Sequence, residues 1–204
     1  MAARPVMDER LFKIQDRIAE MAGLVDNAIG DTVTALMNND KDLARNVIDN
    51  GDEVDELEDK ISKDCFYVLS TQAPIAGDLR FCIAVLRLIR DLERIGDHAE
   101  NLAKYVLRFE DTQFFVESKD LERMAKMAKK MVSMSTKAFL DQDLRLAIKV
   151  WKSDEDVDEI YRNIFAKEIN EVTLIGSHLE RIADYSTNIC EDIMFYVEGT
   201  STME

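Results

Sequence analysis

The segment ALMNNDKDLARNVIDNGDEVDELEDKI (35–61) recurs without gaps as AFLDQDLRLAIKVWKSDEDVDEIYRNI (138–164). A second pair follows each copy, DLERIGDHAEN (91–101) and HLERIADYSTN (178–188). Repeated stretches of this length indicate that one structural unit has been duplicated within the chain. The duplication decides the fold, because each unit must have the same arrangement of elements.

The composition indicates that these units are helical. The chain has 204 residues, 47% of them hydrophobic and 33% charged, with only seven Gly and two Pro. Long segments rich in Leu, Ala, Met, Lys, Arg and Glu, with few breakers, are typical of α-helices. The predicted fold is all-α, with two tandem antiparallel three-helix bundles at 8–111 and 117–198.

Apolar residues at three- and four-residue spacings predict three helices in each unit. Asp40, Asp42, Asp141 and Asp143 stand at helix starts, where a side chain can accept hydrogen bonds from free amide groups. Gly96 and Ala183 occupy the same core position, so a neighbouring helix should approach closely there. The predicted helices are 8–37, 41–70, 76–109, 118–140, 143–170 and 171–198.

The second unit is shorter than the first. The offset between the copies falls from 103 residues to 87, so about sixteen residues opposite VLSTQAPIAGDLRFCI (68–83) have no counterpart. The corresponding join, IFAKEINEVTLIG (164–176), contains no clear turn signal, although two antiparallel helices need a short connection. Two explanations stay open near 170–171: a loop absent from this sequence, or a deletion that would fuse two helices into one rod.

Charge and cysteine usage narrow the class of protein. The net charge of −15 argues against nucleic acid as a partner, because phosphate binding needs an excess of Lys and Arg. Cys65, Cys82 and Cys190 form no CxxC pair and lie among apolar residues, which favours core packing in a reducing cytosol. The Met124, Met127, Met131 and Met134 stripe is also expected in the core. With no signal-like or membrane-spanning run, membrane association is expected only through partners.

Acidic residues recur at matching positions on the third helix of each unit. Glu93, Asp97 and Asn101 follow one another at four-residue spacing, and Glu180, Asp184 and Asn188 repeat the pattern. Glu100 lies beside the first set, but Thr187 replaces it in the second. A helical wheel places these acids at the edge of the apolar stripe, facing a groove beside a neighbouring helix.

The second helix of each unit supplies further acids. Asp52, Asp55 and Glu56 correspond to Glu155, Asp158 and Glu159. If the second and third helices pack antiparallel, each bundle brings several carboxylate oxygens together. Hard oxygen ligands without thiolates suit Mg, Ca, Mn or Fe. The sequence therefore predicts a cation site in each bundle.

Two other interpretations of the acids remain open. Arg90, Arg94 and Arg181 precede acidic residues by three positions, so the acids could form ordinary surface salt bridges in a structural helical adaptor without metal. A di-metal carboxylate oxidoreductase is disfavoured, because neither His98 nor His178 follows a Glu at the Glu-x-x-His spacing. Both histidines are expected to face solvent or to serve as extra ligands. The sequence contains no recognisable catalytic machinery, so no enzyme is predicted.

The duplication and both LERI-x-D motifs together resemble the PhoU family, over nearly the whole chain. LERIGDHAEN, LERIADYSTNICEDIMFYVEG and APIAGDLR carry the resemblance. It implies the same pair of three-helix bundles and a cytoplasmic regulator rather than an enzyme. Such proteins couple the ATPase of the phosphate ABC importer to a phosphate-sensing histidine kinase, and they restrain the phosphate-starvation response. The resemblance leaves the oligomeric state open, with a homodimer among the states it allows.

The resemblance also implies metal sites that can hold multinuclear clusters of divalent or trivalent ions, with Fe, Mg, Mn, Zn and Ca all open as the metal. The family's Glu/Asp-x-x-x-Asp motifs fall on two pairs in each unit. Asp59 corresponds to Arg162 in the repeat, so the middle-helix pairs are not equivalent. The pairs are Glu93/Asp97 and Asp55/Asp59 in the first unit, and Glu180/Asp184 and Asp154/Asp158 in the second.

Overall fold

The structure is a computed structural model that describes residues 3–166 and 171–200. Within these ranges every regular element is an α-helix and there is no strand, which confirms the all-α fold class. None of these helices is long and apolar enough to cross a membrane. The helices are α1 (Ala3–Asn38), α2 (Lys41–Asp49), α3 (Gly51–Thr71), α4 (Gly77–Arg108), α5 (Gln113–Glu117), α6 (Lys119–Asp141), α7 (Leu144–Phe165) and α8 (Glu171–Glu198).

The helices assemble into the two predicted bundles. In the first, α1, the α2–α3 pair and α4 pack on one another, and in the second, α6, α7 and α8 do so. Side chains such as Ile18, Leu88 and Ile189 are completely buried in the resulting core. The apolar stripes read from the sequence therefore face inward, where their removal from water stabilises the fold.

The two bundles meet along a seam between α4 and α8. Arg80 Nε donates to the Tyr196 carbonyl at 3.0 Å, and Arg87 Nη1 lies 3.2 Å from Asp192 Oδ1. Further along, the Nδ1 atoms of His98 and His178 are 2.9 Å apart. Residue numbers rise on α4 as they fall on α8, so the two helices run antiparallel across the seam.

The helices differ from the predicted ones in two main ways. The single helix predicted over 41–70 is divided at Asn50 into α2 and α3, whereas α7, its counterpart, is continuous. The short helix α5 was not predicted. Asp40 and Asp143 accept hydrogen bonds from two amide groups each and cap α2 and α7. Asp42 and Asp141 do not cap helices; they form ion pairs with Arg45 and Lys137.

The join between α7 and α8 does not produce a single rod. α7 ends at Phe165, and α8 begins at Glu171 and packs beside it. The predicted gap near 170–171 falls at the end of the range 167–170, which is outside the described residues. Because α7 and α8 are separate helices, the carboxylates on the two can face each other.

The sulfur-containing residues pack as predicted. Cys65, Cys82 and Cys190 are all fully buried thiols. Met124 and Met131 lie in the core, while Met127 and Met134 pack against its edge. Burial raises the pKa of the Cys190 thiol to about 12, which keeps it protonated and unreactive.

Candidate metal centres

The first centre is a cavity of about 200 Å³ between α1, α3 and α4. Three of the predicted acids, Asp55, Glu93 and Asp97, line this cavity, and Glu100 joins them. Helix spacing explains the arrangement, because residues three and four apart share one face of α4. The predicted groove at the edge of the apolar stripe is therefore present in the first bundle.

The acids of the first centre repel one another but have basic neighbours. Partial burial, followed by the charge of Asp97, raises the pKa of Glu93 and of Asp55. Arg94 lies 3.4 Å from carboxylate oxygens of both Glu93 and Asp97. Lys104 Nζ lies 2.6 Å from Glu100 Oε2. Cations from the chain thus offset part of the negative charge here.

Gly51 makes room for the Glu100 carboxylate. A Cβ atom added to Gly51 would lie 1.9 Å from Glu100 Oε1, much closer than two unbonded atoms can approach. Gly51 begins α3 directly after the break at Asn50. A missing side chain on α3 is therefore what allows an acid from α4 to reach the cavity.

The second centre brings three carboxylates together between α7 and α8. Oxygen atoms of Asp154, Asp158 and Asp184 all lie within 4.8 Å of one another, the only such group of three in the part of the chain that the structure describes. Glu180 stands close enough for Asp184 and Asp158 to raise its pKa. Four of the predicted ligands therefore converge in this bundle.

Burial and like charge dominate the electrostatics of the second centre. Burial, with the charges of Asp158 and Asp184, raises the pKa of Asp154 to about 6. Burial, with the charge of Asp184, raises the pKa of Glu180 to about 7. Within residues 3–166 and 171–200, none of the four carboxylates pairs with a Lys or Arg at salt-bridge distance. Arg181 forms no ion pair with Asp184, although its charge offsets part of the rise in the pKa of Asp184 and of Glu180.

One atom of the second centre lacks a partner. Asp154 Oδ1 is buried and accepts no hydrogen bond within the described residues. A buried carboxylate oxygen without a donor is costly, and a bound cation is one group that satisfies it. The donor set, carboxylate oxygens without a thiolate or imidazole, fits a hard cation such as Mg²⁺, Mn²⁺, Ca²⁺ or iron.

Three of the predicted ligands do not join either group. Asp59 is exposed and pairs with Lys63, away from Asp55. Asn101 is not among the residues that line the first cavity. Asn188 lines a different groove, between α4 and α8, together with Arg87 and Asp192. Four-residue spacing alone does not bring these three residues into the two groups, because a helix turns each successive residue further from the groove.

The two histidines lie in the seam, which corrects the expectation that they face solvent. His98 is buried and contacts His178, with the ring of Tyr185 packed against His98. Burial, with the nearby His178, lowers the pKa of His98 to about 4, so the pair is neutral near pH 7. The signal that sequence analysis missed is their opposition on antiparallel helices.

The fold and the two centres define a duplicated, all-helical protein with a carboxylate site in each half. The PhoU domain model matches residues 18–106 and 121–193. The chain therefore belongs to the PhoU domain family. Both halves of the chain contribute a match, and each match includes the carboxylates of its centre on α4 or α8.

Curated relatives and solved structures resemble the chain over almost its full length. The chain is 29% identical to the Clostridium acetobutylicum phosphate-specific transport system accessory protein PhoU homolog, covering 96% of each. It is 31% identical to the Caulobacter vibrioides homolog, covering 94% of this chain and 89% of that protein. Crystal structures of PhoU from Pseudomonas aeruginosa and of the phosphate transport system regulatory protein PhoU from Streptococcus pneumoniae superpose with TM-scores of 0.83 and 0.86, at 28% and 27% identity. They cover 95% and 97% of this chain, and 99% and 100% of those chains.

Proposed function

We propose that this chain is an accessory protein of a phosphate-specific transport system, working on the cytoplasmic face of the membrane. It docks onto the ATPase of the phosphate ABC importer and onto the phosphate-sensing histidine kinase, and it restrains phosphate uptake and the phosphate-starvation response. Support comes from the family match in both halves and from relatives named as accessory proteins of phosphate-specific transport. The proposed role is regulatory, not enzymatic.

We further propose that metal ions occupy the two centres. The convergence of Asp154, Asp158 and Asp184, with an unsatisfied oxygen on Asp154, is the observation that carries this proposal. In the second centre these three residues and Glu180 would hold the ion. In the first, Asp55, Glu93, Asp97 and Glu100 would do so. The ion would supply positive charge beyond the partial offset that Arg181 provides at the second centre.

The metal connects to docking through helix repulsion. In each bundle the acids stand on two facing helices, α3 and α4 or α7 and α8. Without a cation, like charges on facing helices favour a wider separation. Burial, followed by this like charge, raises the pKa of acids in both centres. A bound cation removes this repulsion and fixes the two helices relative to each other. Metal occupancy would thereby set the shape of the surface that partners recognise.

Elemental analysis of protein purified without chelator tests the metal proposal. We expect bound divalent or trivalent metal, and the share held by the second centre should be lost when Asp154, Asp158 and Asp184 are replaced by Asn. Metal-free protein that fails to rebind any added ion would contradict this proposal and favour a structural adaptor. Oxygen consumption by the iron-loaded protein would instead support a di-metal oxidoreductase.

Co-purification tests the docking proposal separately. We expect the tagged protein to retain the importer's ATPase and the kinase from cells grown in high phosphate. Reconstitution with purified components distinguishes direct from indirect contact. A protein that binds neither partner in either assay would refute the regulatory role, whatever the metal analysis shows.

A further inference from the structure

The first turns of α7 present an exposed face that combines basic and large apolar side chains. The stretch LRLAIKVWK (144–152) contains three cations and no acid. Five of its side chains are exposed on the helix surface. We call this set the α7 basic face: Arg145, Ile148, Lys149, Trp151 and Lys152.

The cations of the α7 basic face have no acidic partner of their own. Among the described residues, Arg145, Lys149 and Lys152 form no ion pair, whereas other exposed cations such as Lys126 and Lys137 do. The chain has 41 acidic residues against 26 basic ones, yet no described acid lies within ion-pair distance of these three neighbouring cations. Their combined field attracts a negatively charged surface.

Two apolar side chains are exposed within the same face. Ile148 is 38% exposed and Trp151 is 39% exposed. Trp and Arg are the side chains that contribute most often to the energetic centre of protein interfaces. An apolar anchor ringed by cations is thus the composition of a docking surface for a protein.

The duplication shows that the fold does not require this face. The corresponding positions on α2 hold Asp42, Arg45, Asn46, Ile48 and Asp49. Arg45 there pairs with Asp42, and Asp49 adds a second acid, so the equivalent surface in the first bundle carries a net negative charge. The same helix position thus folds with a single, paired cation and without Trp, so the fold does not account for three unpaired cations beside Trp151.

We infer that the α7 basic face docks onto an acidic surface of a protein partner that has an apolar recess for Trp151. A protein surface fits better than a membrane, because more than half of Trp151 and of Ile148 is covered by this chain. Insertion into lipid would need apolar side chains that project several ångströms from the helix. This inference rests on the docking part of the proposed function and is independent of the metal centres.

Binding measurements with the purified importer ATPase and the cytoplasmic part of the kinase test this inference. One variant carries Arg145→Gln, Lys149→Gln and Lys152→Gln, and a second carries Trp151→Ala. The matched control carries Arg123→Gln, Lys126→Gln and Lys130→Gln, which removes the same charge from exposed positions of α6. Thermal unfolding of all three establishes that they fold.

We expect each face variant to bind at least one partner about tenfold more weakly, as loss of an interface anchor does, while the control binds like the wild type. Wild-type binding should also weaken as salt is raised. Equal binding by face variants and control would overturn the inference but leave the proposed function intact. If the wild type binds neither partner, both fall together.

Two further results would show that something other than an acidic protein partner binds the α7 basic face. Co-sedimentation of the wild type, but not of the charge variant, with phosphatidylglycerol vesicles would assign the face to a membrane. A concentration-dependent dimer that the charge variant does not form would assign it to the acidic surface of a second copy. Either result would overturn the inference as stated.

Discussion

The two carboxylate centres occupy equivalent places in the two bundles. They differ in which of the two facing helices supplies one of the acids. In the first centre that acid is Glu100 on α4, which reaches past the bare Gly51. In the second it is Asp154 on α7, at the position of Gly51, and Thr187 stands at the position of Glu100. The acid is present in both centres although its source differs. This difference indicates that a carboxylate at this place in the centre matters more than the helix that supplies it.

The centres also differ in how far the chain neutralises them. Arg94 and Lys104 stand within ion-pair distance of three acids in the first centre. In the second, no described basic side chain pairs with the carboxylates, and Asp154 Oδ1 has no partner. A cation entering the second centre therefore displaces no internal ion pair. We expect the second centre to bind metal more tightly than the first.

Asp158→Asn in the second centre should have the largest effect. Loss even of an outer-shell partner commonly weakens metal affinity by 10- to 100-fold, so loss of a direct ligand should weaken it by at least about 100-fold. The metal-free variant should also unfold at a higher temperature than the metal-free wild type, because one of several repelling charges is gone. Calorimetric titration with Mn²⁺ and thermal unfolding measure both effects.

Glu159→Gln is the matched control for that change. Glu159 is exposed on the same helix and lies outside the group of converging oxygens. The control should leave Mn²⁺ affinity unchanged. Equal affinities for Asp158→Asn and the control would show that the second centre does not hold the ion.

Asp55→Asn makes the equivalent change in the first centre and should have a smaller effect. Because Arg94 and Lys104 already offset charge there, we expect the Mn²⁺ affinity of the first centre to fall about tenfold. A change of this size is typical for the loss of one outer-shell partner. The titration is best done with Asp158→Asn present, so that only the first centre responds. A loss as large as that in the second centre would contradict the proposed ranking.

The stability of the metal-free protein should depend on pH through the second centre. Burial raises the pKa of Glu180 to about 7, well above its ordinary value of 4.5. The folded state therefore binds more protons than the unfolded state near neutrality, and stability falls as pH rises. Between about pH 6.5 and 8 the change should stay below about 1 kcal/mol, because solvent screens this half-exposed group.

Denaturant unfolding at several pH values with chelator measures this slope. Glu180→Gln should reduce the dependence of stability on pH. Asp91→Asn should remove a separate contribution to that dependence, because burial raises the pKa of Asp91 to about 7 in the seam. Below about pH 6.5 the buried His98 opposes the trend, because its lowered pKa makes the folded state bind fewer protons. Stability that rises with pH between 6.5 and 8 would contradict the prediction.

The comparison of the centres also shows what sequence could and could not predict. Helical periodicity and the internal repeat were sufficient for the two bundles and for Asp55, Glu93, Asp97, Asp158, Glu180 and Asp184, because these depend on helix geometry alone. The exclusion of Asp59, Asn101 and Asn188 depends on the rotation of each helix about its axis. The contact of His98 with His178 depends on how the bundles meet. Neither rotation nor docking leaves a periodic signal in the sequence.

Gly96 shows a related limit. The sequence predicted a close helix approach at this position, and a Cβ added there would lie 3.7 Å from Val54 Cγ1, an ordinary contact. A small residue is therefore needed, but glycine is not, as Ala183 in the second unit illustrates. The sequence pattern predicted no role for Gly51, yet its missing side chain leaves the space that the Glu100 carboxylate occupies.

The smallest expected effect tests whether Gly51 and Glu100 depend on each other. Their counterparts in the second unit are Asp154 and Thr187. Gly51→Asp alone should displace the Glu100 carboxylate, because the new Cβ would lie 1.9 Å from Glu100 Oε1. Glu100→Thr alone should remove one ligand. Each single change should weaken Mn²⁺ binding at the first centre a few-fold. The double variant reproduces the second centre's arrangement and should recover the lost affinity. Coupling between residues in contact typically amounts to about 0.5 to 3 kcal/mol.

Gly96→Ala is the control for that cycle, since it also copies a residue from the second unit into the first. It should leave metal affinity unchanged and raise the free energy of unfolding by about 0.5 to 1 kcal/mol, because Ala is a better helix former than Gly. Titrations of the four variants with Asp158→Asn present give the coupling directly. Purely additive losses from Gly51→Asp and Glu100→Thr would mean that the two positions act separately. An acid at position 51 would then not compensate for the loss of Glu100.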